Sequence, residues 1–333
     1  MAKDVKVVIN LKQPTGKVGF GYPLIFAGVA ETAVEYTECS RLADVVTAGF
    51  AEGTAVHTAA KRIFEQTDAP ATIAVCATTE NAVTGLATIL TKGWRQLIVA
   101  SAGAEGESTI EEIGAFIEET PDKMYFASVK DLSEVTEAMA KYSRTRMMCY
   151  TKADVICPEA AEVGRVAGLA AGSVSYDHLI LKGLEPLELS VSELEEIHKK
   201  NCYTFVTMAG DNVTTDGKVL SGEWADIIDS KDYIIFQMEY QLQKTLNTTN
   251  KVTYDNNGIS LLENVCVNVL QDAYNNNIIA DNAEGTAAYT VDFKPRSETS
   301  AEDRKVRRYV GGSFAFSLRG AIHEVEVTGE IEV

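Results

Sequence analysis

The stretch that decides the fold runs from residue 71 to residue 100 and reads ATIAVCATTENAVTGLATILTKGWRQLIVA. Its two ends, Ala71–Ala77 and Gln96–Ala100, are short apolar runs bounded by polar segments, which is typical of buried strands. Between them, Asn81–Lys92 has the length of a helix and begins with a residue that caps helices well. This order of strand, helix and strand predicts two parallel strands joined by a helix.

The same alternation extends from about residue 22 to about residue 182. Further strands are predicted at Tyr22–Gly28, Lys123–Ser128 and Thr145–Tyr150. Further helices are predicted from Ser40 to about Phe50, from Thr54 to Gln66, and at Ser108–Glu119, Leu132–Tyr142 and Glu159–Ala171. Thr109 and Glu112 have the spacing of a capping box. We therefore expect an α/β domain over residues 21–188, with a mostly parallel sheet covered by helices.

Beyond residue 188 the pattern changes to that of an α+β domain. Helices are predicted at Ser190–Asn201, Asp232–Leu246 and Gly258–Asn277, and strands at Cys202–Met208, Ala287–Phe293 and Gly312–Leu318. A polar stretch, Lys294–Arg308, is expected to form a loop between the last two strands. The fold class expected for the whole chain is therefore α/β followed by α+β.

Composition and charge exclude several classes of protein. The 333 residues are 46% hydrophobic and 23% charged, as in globular proteins, and the length suggests two domains. Acidic residues outnumber basic ones by 48 to 30, which gives a net charge of −18 and disfavours binding to nucleic acid or to an anionic membrane surface. No apolar run reaches the roughly 18 residues of a spanning helix, so we expect no direct membrane insertion.

The cysteines and the first residues both indicate a reducing compartment. The six cysteines are scattered without CxxC pairs, which favours buried thiols over a disulfide framework or a zinc site. Residues 1–6 lack the pattern of a signal peptide. We therefore expect assembly in the cytoplasm.

A search for chemistry leaves no catalytic, cofactor-binding or metal-binding residues. The sequence contains no GxGxxG, GxxxxGK[ST], GxSxG or HExxH motif. His178 beside Asp177 could belong to a nucleophile system, but nothing in the sequence indicates its nucleophile. A cytoplasmic α/β enzyme of unknown reaction remains the alternative to a structural protein.

Both ends of the chain carry strands that alternate between apolar and charged side chains. At the N-terminus Val5, Val7, Ile9 and Leu11 share one face, and Pro14–Gly21 follows as a flexible joint. At the C-terminus Val325, Val327, Ile331 and Val333 share one face beyond a hinge at Arg319-Gly320. A lone strand needs a partner sheet, and it finds one either in its own domain or in a neighbouring chain.

One segment of this acidic chain is basic. The cluster contains six basic residues against three acidic ones, for a local net charge of +3: Lys294, Arg296, Arg304, Lys305, Arg307 and Arg308 against Glu298, Glu302 and Asp303. This cluster is either a solvated loop with internal ion pairs or a docking patch for an acidic partner.

The order of these parts resembles the tail sheath proteins of contractile phage tails and of phage-tail-like bacteriocins. The resemblance covers most of the chain and is strongest over residues 190–333. It rests on the Ser190–Asn201 helix and the Asn201–Phe205 run, the Asp216-Gly217 turn, Gly222–Asp226 leading to Asp229–Tyr233, Tyr254–Ile259 with the following helix, and the closing strand after Phe314–Phe316. Ser40–Gln66 is similar to the early helices of the family.

The resemblance implies a structural subunit that polymerises into stacked hexameric rings around an inner tube. It implies terminal arms (residues 1–20 and 321–333) that exchange strands with neighbouring subunits, and a tube-facing C-terminal domain over residues 189–320. The partners it implies are further copies of the chain, the tube protein, and baseplate and tail terminator proteins. Arg304, Lys305, Arg307 and Arg308 are then the candidate tube contacts. A tube protein is a further possibility, which the helix content disfavours.

Overall fold

The computed structural model describes residues 20–323. Within this range the chain forms two compact units, residues 20–236 (the α/β unit) and residues 237–323 (the C-terminal unit). Residues 189–236 lie in the first unit partly because Tyr203 continues its sheet: the Tyr203 N–H donates to the Met147 carbonyl (3.0 Å), and the Cys149 N–H donates to the Tyr203 carbonyl (2.8 Å). The four-part domain division expected from the sequence stays a prediction.

The α/β unit is built on one six-stranded sheet in the order β2-β3-β1-β4-β5-β6. The strands are β1 (Tyr22–Ala27), β2 (Val34–Cys39), β3 (Ile73–Ala77), β4 (Trp94–Val99), β5 (Met124–Val129) and β6 (Thr145–Cys149). Every pairing is parallel except that of β2 with β3. The mostly parallel sheet expected from the sequence is therefore confirmed.

Helices cover both faces of this sheet. They are α1 (Leu42–Thr47), α2 (Ala55–Phe64), α3 (Ala82–Ile89), α4 (Ile110–Glu118), α5 (Glu159–Val166) and α6 (Val191–Lys199). In β1, Ile25 packs in the core that contains α2 and α5, whereas Leu24 and Phe26 pack in the core that contains α3 and α4. Both cores are buried, which explains why these strands read as continuous apolar runs.

Helix starts follow the capping residues. Thr54 accepts a hydrogen bond from the His57 N–H (3.3 Å) at the start of α2. The predicted capping box at the start of α4, Thr109 with Glu112, is present, and Ser190 with Glu193 forms another at the start of α6. These side chains satisfy N–H groups that have no partner inside the helix.

Two local predictions were wrong, and one strand of the six-stranded sheet was missed. Leu132–Tyr142 is two 3-10 turns, Leu132–Glu134 and Glu137–Lys141, because Val135 and Thr136 between them are extended. Helix α1 begins after Arg41 and ends at Thr47, short of the predicted Ser40–Phe50 span, and Gly49 follows with a φ of 117°. Strand β2 was not predicted, because its sequence VEYTEC carries the charges of an edge strand.

The rest of the described chain, up to residue 323, contains two long helices, one short helix and two antiparallel pairs of strands. The elements are β7 (Phe205–Met208), β8 (Asp211–Thr214), α7 (Ala225–Thr248), α8 (Asn256–Asn275), β9 (Tyr289–Phe293), α9 (Ala301–Lys305) and β10 (Gly312–Phe316). Strands β9 and β10 pair antiparallel, as do β7 and β8. The stretch expected as a polar loop, Lys294–Arg308, contains a 3-10 turn and α9. The α/β and α+β fold class is confirmed.

All six cysteines, which lie within the described part of the chain, are buried and free, as expected. Burial raises the pKa of the Cys76 thiol to about 11, as it does for Cys149. These thiols are therefore protonated near neutral pH and behave as small apolar side chains.

A carboxyl group of the α/β unit, that of Glu159, is buried and forms no salt bridge within residues 20–323. Glu159 lies in the first turn of α5 and is 3% exposed. Burial raises its pKa to about 7, against the opposing effects of a hydrogen bond from Ser128 and the charge of Arg62. The folded protein therefore keeps the Glu159 proton at a pH where the unfolded chain has lost it.

We expect Glu159→Gln to remove a pH dependence of stability. With a folded pKa of about 7 and an unfolded pKa near 4.5, the free energy of unfolding falls as the pH rises between these values. The fall is on the order of 2–3 kcal/mol. Urea unfolding at pH 5 and pH 8 measures it. Wild type should lose this amount relative to Glu159→Gln, while the exposed Glu137→Gln should leave the loss unchanged. An equal fall in Glu159→Gln would contradict the assignment.

Candidate assembly surfaces

Helix α7 is attached to the sheet by a buried network of charges. Arg95 in β4 donates through Nη2 to Asp229 (2.6 Å) and through Nη1 to Asp232 (3.1 Å). Arg144, just before β6, donates from Nη1 and Nη2 to the two oxygens of Asp232 (2.8 and 3.0 Å). Asp229 and Asp232 are three residues apart and so lie on one face of α7. The network joins α7 to the amino ends of two strands.

The two carboxylates of this network differ in their electrostatics. For Asp232 burial acts to raise the pKa, but the hydrogen bond from Arg144 and the charges of Arg95 and Arg144 lower it below its usual value. For Asp229 burial outweighs the attraction of Arg95, and its pKa is raised. Asp232 contacts two guanidinium groups and Asp229 contacts one, which accounts for the opposite directions. Asp232 is thus the carboxylate that holds the network together.

The crevice at the carboxyl ends of β1 and β4 is filled by a side chain of the protein itself. In a sheet of this order, ligands bind there because the connections turn in opposite directions. Glu107 accepts from the N–H groups of Ala82 (2.5 Å) and Ser108 (2.8 Å), and also from Ser101 Oγ. A Cβ at Gly28 would collide with this carboxylate. An internal carboxylate therefore occupies the position where an enzyme of this fold would hold an anion.

The small sheet of the C-terminal unit buries only one face. Tyr289, Val291 and Phe293 of β9 share a side with Phe314 and Phe316 of β10, and all five are half-buried. The Tyr289 hydroxyl donates to Gln271 Oε1 of α8 (3.0 Å), so this face points to α8. The opposite face is mostly polar.

Apart from isolated bridges of Ile279 to Leu318 and of Asp281 to Ala287 at one end of this sheet, neither long edge pairs with another strand among residues 20–323. The Lys294 N–H donates to the Gly311 carbonyl (3.0 Å), and antiparallel pairing alternates between bonded and non-bonded pairs. The backbone groups of Val291 and Phe293 therefore point away from β10, and those of Phe314 point away from β9. A two-stranded sheet is marginally stable alone, and unpaired edges are templates for further strands.

The loop that carries the basic cluster packs against aromatic side chains. The rings of Tyr309 and Phe293 stack at 5.7 Å, and the Tyr309 hydroxyl donates to the Lys294 carbonyl (2.8 Å). The Tyr254 hydroxyl donates to the Arg308 carbonyl (3.1 Å). Arg304 points into its own loop, where its guanidinium donates to the Thr299 carbonyl.

The other three candidate cations are exposed to solvent. Within residues 20–323, Lys305, Arg307 and Arg308 form no salt bridge. Their backbone is nonetheless fixed, since Arg307 adopts a φ of 58° and the Arg308 N–H donates to the Asp303 carbonyl (2.9 Å). Backbone contacts therefore hold this loop, and the side chains of Lys305, Arg307 and Arg308 extend from it into solvent.

No protein-family model and no curated protein matches this chain. Solved structures do match it. The contracted helical sheath of the anti-feeding prophage has a TM-score of 0.74 at 10% identity, covering 100% of both chains. The 6-fold symmetrised baseplate of the same system has a TM-score of 0.73 at 11% identity, again covering 100% of both chains. The sheath tail protein from Desulfitobacterium hafniense has a TM-score of 0.56 at 10% identity, covering 95% of this chain and 100% of that chain.

This chain has the fold of contractile sheath proteins. The resemblance expected from the sequence is thereby confirmed at the level of the fold, over the full length of the chain. Among the described helices none is long and apolar enough to cross a membrane.

The sheath fold brings some of the predicted site residues together and leaves others outside the described range. Arg304, Lys305, Arg307 and Arg308 lie in or just after α9, in one loop. The predicted strand residues Val5, Val7, Ile9 and Leu11, and Val325, Val327, Ile331 and Val333, lie outside residues 20–323. Their exchange between subunits stays a prediction.

Sequence reasoning missed the charge network that attaches α7. A signal was present: Arg95 and Arg144 each stand at the beginning of an apolar strand, where solvated loop residues are expected. Asp229 and Asp232 have the helical spacing that lets two carboxylates approach such cations together. These charges are visible in the sequence, but only the fold shows that α7 packs against the amino ends of both β4 and β6.

We expect Asp232→Ala to destabilise the protein by about 3–5 kcal/mol, because it leaves Arg144 and part of Arg95 buried without a counter-charge. The adjacent Lys231 is exposed, and Lys231→Ala should change stability by less than about 0.5 kcal/mol. Urea unfolding of both variants measures the difference. A loss below about 1 kcal/mol in Asp232→Ala would mean that this network does not hold α7.

Proposed function

We propose that this chain is a structural, non-enzymatic subunit of a contractile tail sheath. Its polymer is a stack of hexameric rings around a tail tube, and its contraction drives the tube through the envelope of a target cell. The observation that carries the proposal is the agreement of the fold with a contracted sheath over the whole of both chains. The internal carboxylate at the usual ligand crevice supports a structural role over a catalytic one.

The rings are joined by exchanged terminal strands. The unpaired edges of β9 and β10 are the natural acceptors, since a donated strand adds main-chain hydrogen bonds there. The alternation at the two termini gives each arm one apolar face for the acceptor unit and one charged face for solvent. A strand given from one subunit to the next is a heterologous contact, which can build an open helical array.

The partners follow from the same role. The chain binds further copies of itself, the tube protein, and the baseplate and tail terminator proteins at the two ends of the sheath. The match to a chain of a baseplate structure supports the proposed contact with baseplate proteins. We place its assembly in the cytoplasm of the bacterial host, followed by incorporation into a virion tail or a released tail-like particle.

The contact with the tube is made by Lys305, Arg307 and Arg308. They are exposed and form no salt bridge among residues 20–323, and the net charge of the chain is −18, so they can meet an acidic tube surface where the rest of the subunit would repel it. Val306 and Val310, which are 63% and 56% exposed, add apolar contact beside them. Arg304 contributes indirectly by holding the loop.

The arms are tested by two substitutions on opposite faces of one predicted strand. Val327→Lys places a charge on the face that the acceptor sheet would bury, and we expect it to abolish polymers. Glu326→Lys lies on the solvent face and should polymerise as wild type does. Negative-stain microscopy of purified protein gives the result: wild type should form tubes or stacked rings. Discrete dimers or tetramers of the wild type would refute the proposed function.

Hydrogen exchange on the same samples tests whether the outer edge of β9 accepts the donated strand. Amides of Val291 and Phe293 point outward and should become protected on polymerisation, whereas those of Thr290 and Asp292 bond to β10 and should be protected throughout. Outward amides that exchange freely in the polymer would place the donated strand elsewhere.

The tube contact is tested by charge reversal. Arg307→Glu with Arg308→Glu should weaken polymerisation of the sheath on purified tubes, because each exposed ion pair contributes about 0.2–1 kcal/mol and many copies act together. High salt should reproduce the defect in wild type by screening. Co-sedimentation of sheath and tube measures both.

Reversal of Lys182, an exposed basic residue of the α/β unit outside this loop, serves as the control. If the doubly reversed protein co-assembles normally while the wild type remains sensitive to salt, the basic cluster does not contact the tube.

A further inference from the structure

The chain enters β1 through an aromatic contact with a buried cation. The ring of Phe20, the first described residue, lies over the Arg95 guanidinium, with 4.2 Å between the guanidinium carbon and the ring centre. The same ring meets Tyr233 edge-to-face at 5.3 Å and Phe236 at 5.9 Å. Three aromatic or planar groups from β4 and α7 therefore surround one side chain of the entering segment.

The guanidinium of Arg95 has only its faces left for such a contact. Its N–H groups donate to Asp229, to Asp232 and to the Asp122 carbonyl (2.9 Å), and these bonds lie in the guanidinium plane. Arg95 is fully buried and held on its edges, so its position is fixed. An aromatic ring on one face is then attracted to a cation that cannot move away.

The turn between Phe20 and β1 can be made only by glycine. Gly21 has a φ of 117°, and a Cβ there would lie 2.7 Å from Arg95 Cβ and 3.2 Å from the Gly93 carbonyl oxygen. The Tyr22 N–H then donates to that carbonyl (3.3 Å) as β1 begins. The backbone is thus shaped to place Phe20 on Arg95, and a flexible joint alone would not require this.

We propose that Phe20 and Gly21 are positioning residues that anchor the N-terminal arm to the first turns of α7 through Arg95. This proposal rests on the proposed function, in which residues 1–20 form a donated arm. A pull on the arm then acts first on the Phe20 contacts, and through Arg95 on Asp229 and Asp232, before it reaches the hydrogen bonds of β1.

Phe20→Ala tests the anchor, with Phe20→Trp as the rescue, because tryptophan has the strongest cation–π attraction. Phe116→Ala removes a half-buried phenylalanine elsewhere in the same unit and controls for loss of apolar contact. In unpolymerised protein, amides of residues 229–236 should exchange about fivefold faster or more in Phe20→Ala, near the wild-type rate in Phe20→Trp, and at the wild-type rate in Phe116→Ala. Phe20→Ala should also raise the protein concentration needed for polymerisation, and Phe20→Trp should restore it.

Two results would overturn the anchor. One is an unchanged exchange rate over residues 229–236 in Phe20→Ala. The other is wild-type polymerisation of Phe20→Ala under conditions where deletion of residues 2–12 abolishes polymers. Normal polymers from the deletion variant would instead refute strand donation by this arm, and the exchange measurement would still decide whether Phe20 holds α7.

Discussion

The attachment of the long helix α7 to the amino ends of the strands β4 and β6 depends on Asp232. Its carboxylate accepts hydrogen bonds from two guanidinium groups, Arg95 in β4 and Arg144 just before β6, and only 4% of its side chain is exposed. Removing charges from water is costly, so the arrangement is stable only when every member is present. Asp232 links Arg144 to Arg95, which Asp229 and the Asp122 carbonyl also hold, and Phe20 packs on the guanidinium that these contacts fix.

Much of the fold could be read from the sequence, because the parallel sheet is buried on both faces. The strand at Ile73–Ala77 is five buried residues in a row, and no surface requirement obscures its apolar pattern. Capped helices such as α4 were equally predictable from the sequence, since Thr109 and Glu112 form the capping box that their spacing predicts. Strand β2 was missed for the opposite reason: two of its six side chains, Glu35 and Glu38, are exposed, and only its neighbour β3 defines it as a strand.

The surfaces were harder to predict from the sequence than the core, because their contacts depend on residues that are distant in the chain. A charge cluster in sequence does not reveal which of its members are free, and only the loop geometry separates Arg304, which holds the loop, from Lys305 and Arg308, which face solvent. Likewise the carboxylate of Glu107 reads as one acid among 48, and its place at the end of β1 depends on strand order. Long-range partners are properties of topology, which local patterns do not carry.

The open edges of β9 and β10 also create a risk of aggregation. A sheet edge without a partner pairs with any chain that offers an extended segment, including another copy in an unintended register. A net charge of −18 keeps free copies apart by mutual repulsion and slows such encounters. In the proposed sheath, addition of a subunit to an existing end that presents the right edge would therefore be faster than the first pairing of two free copies.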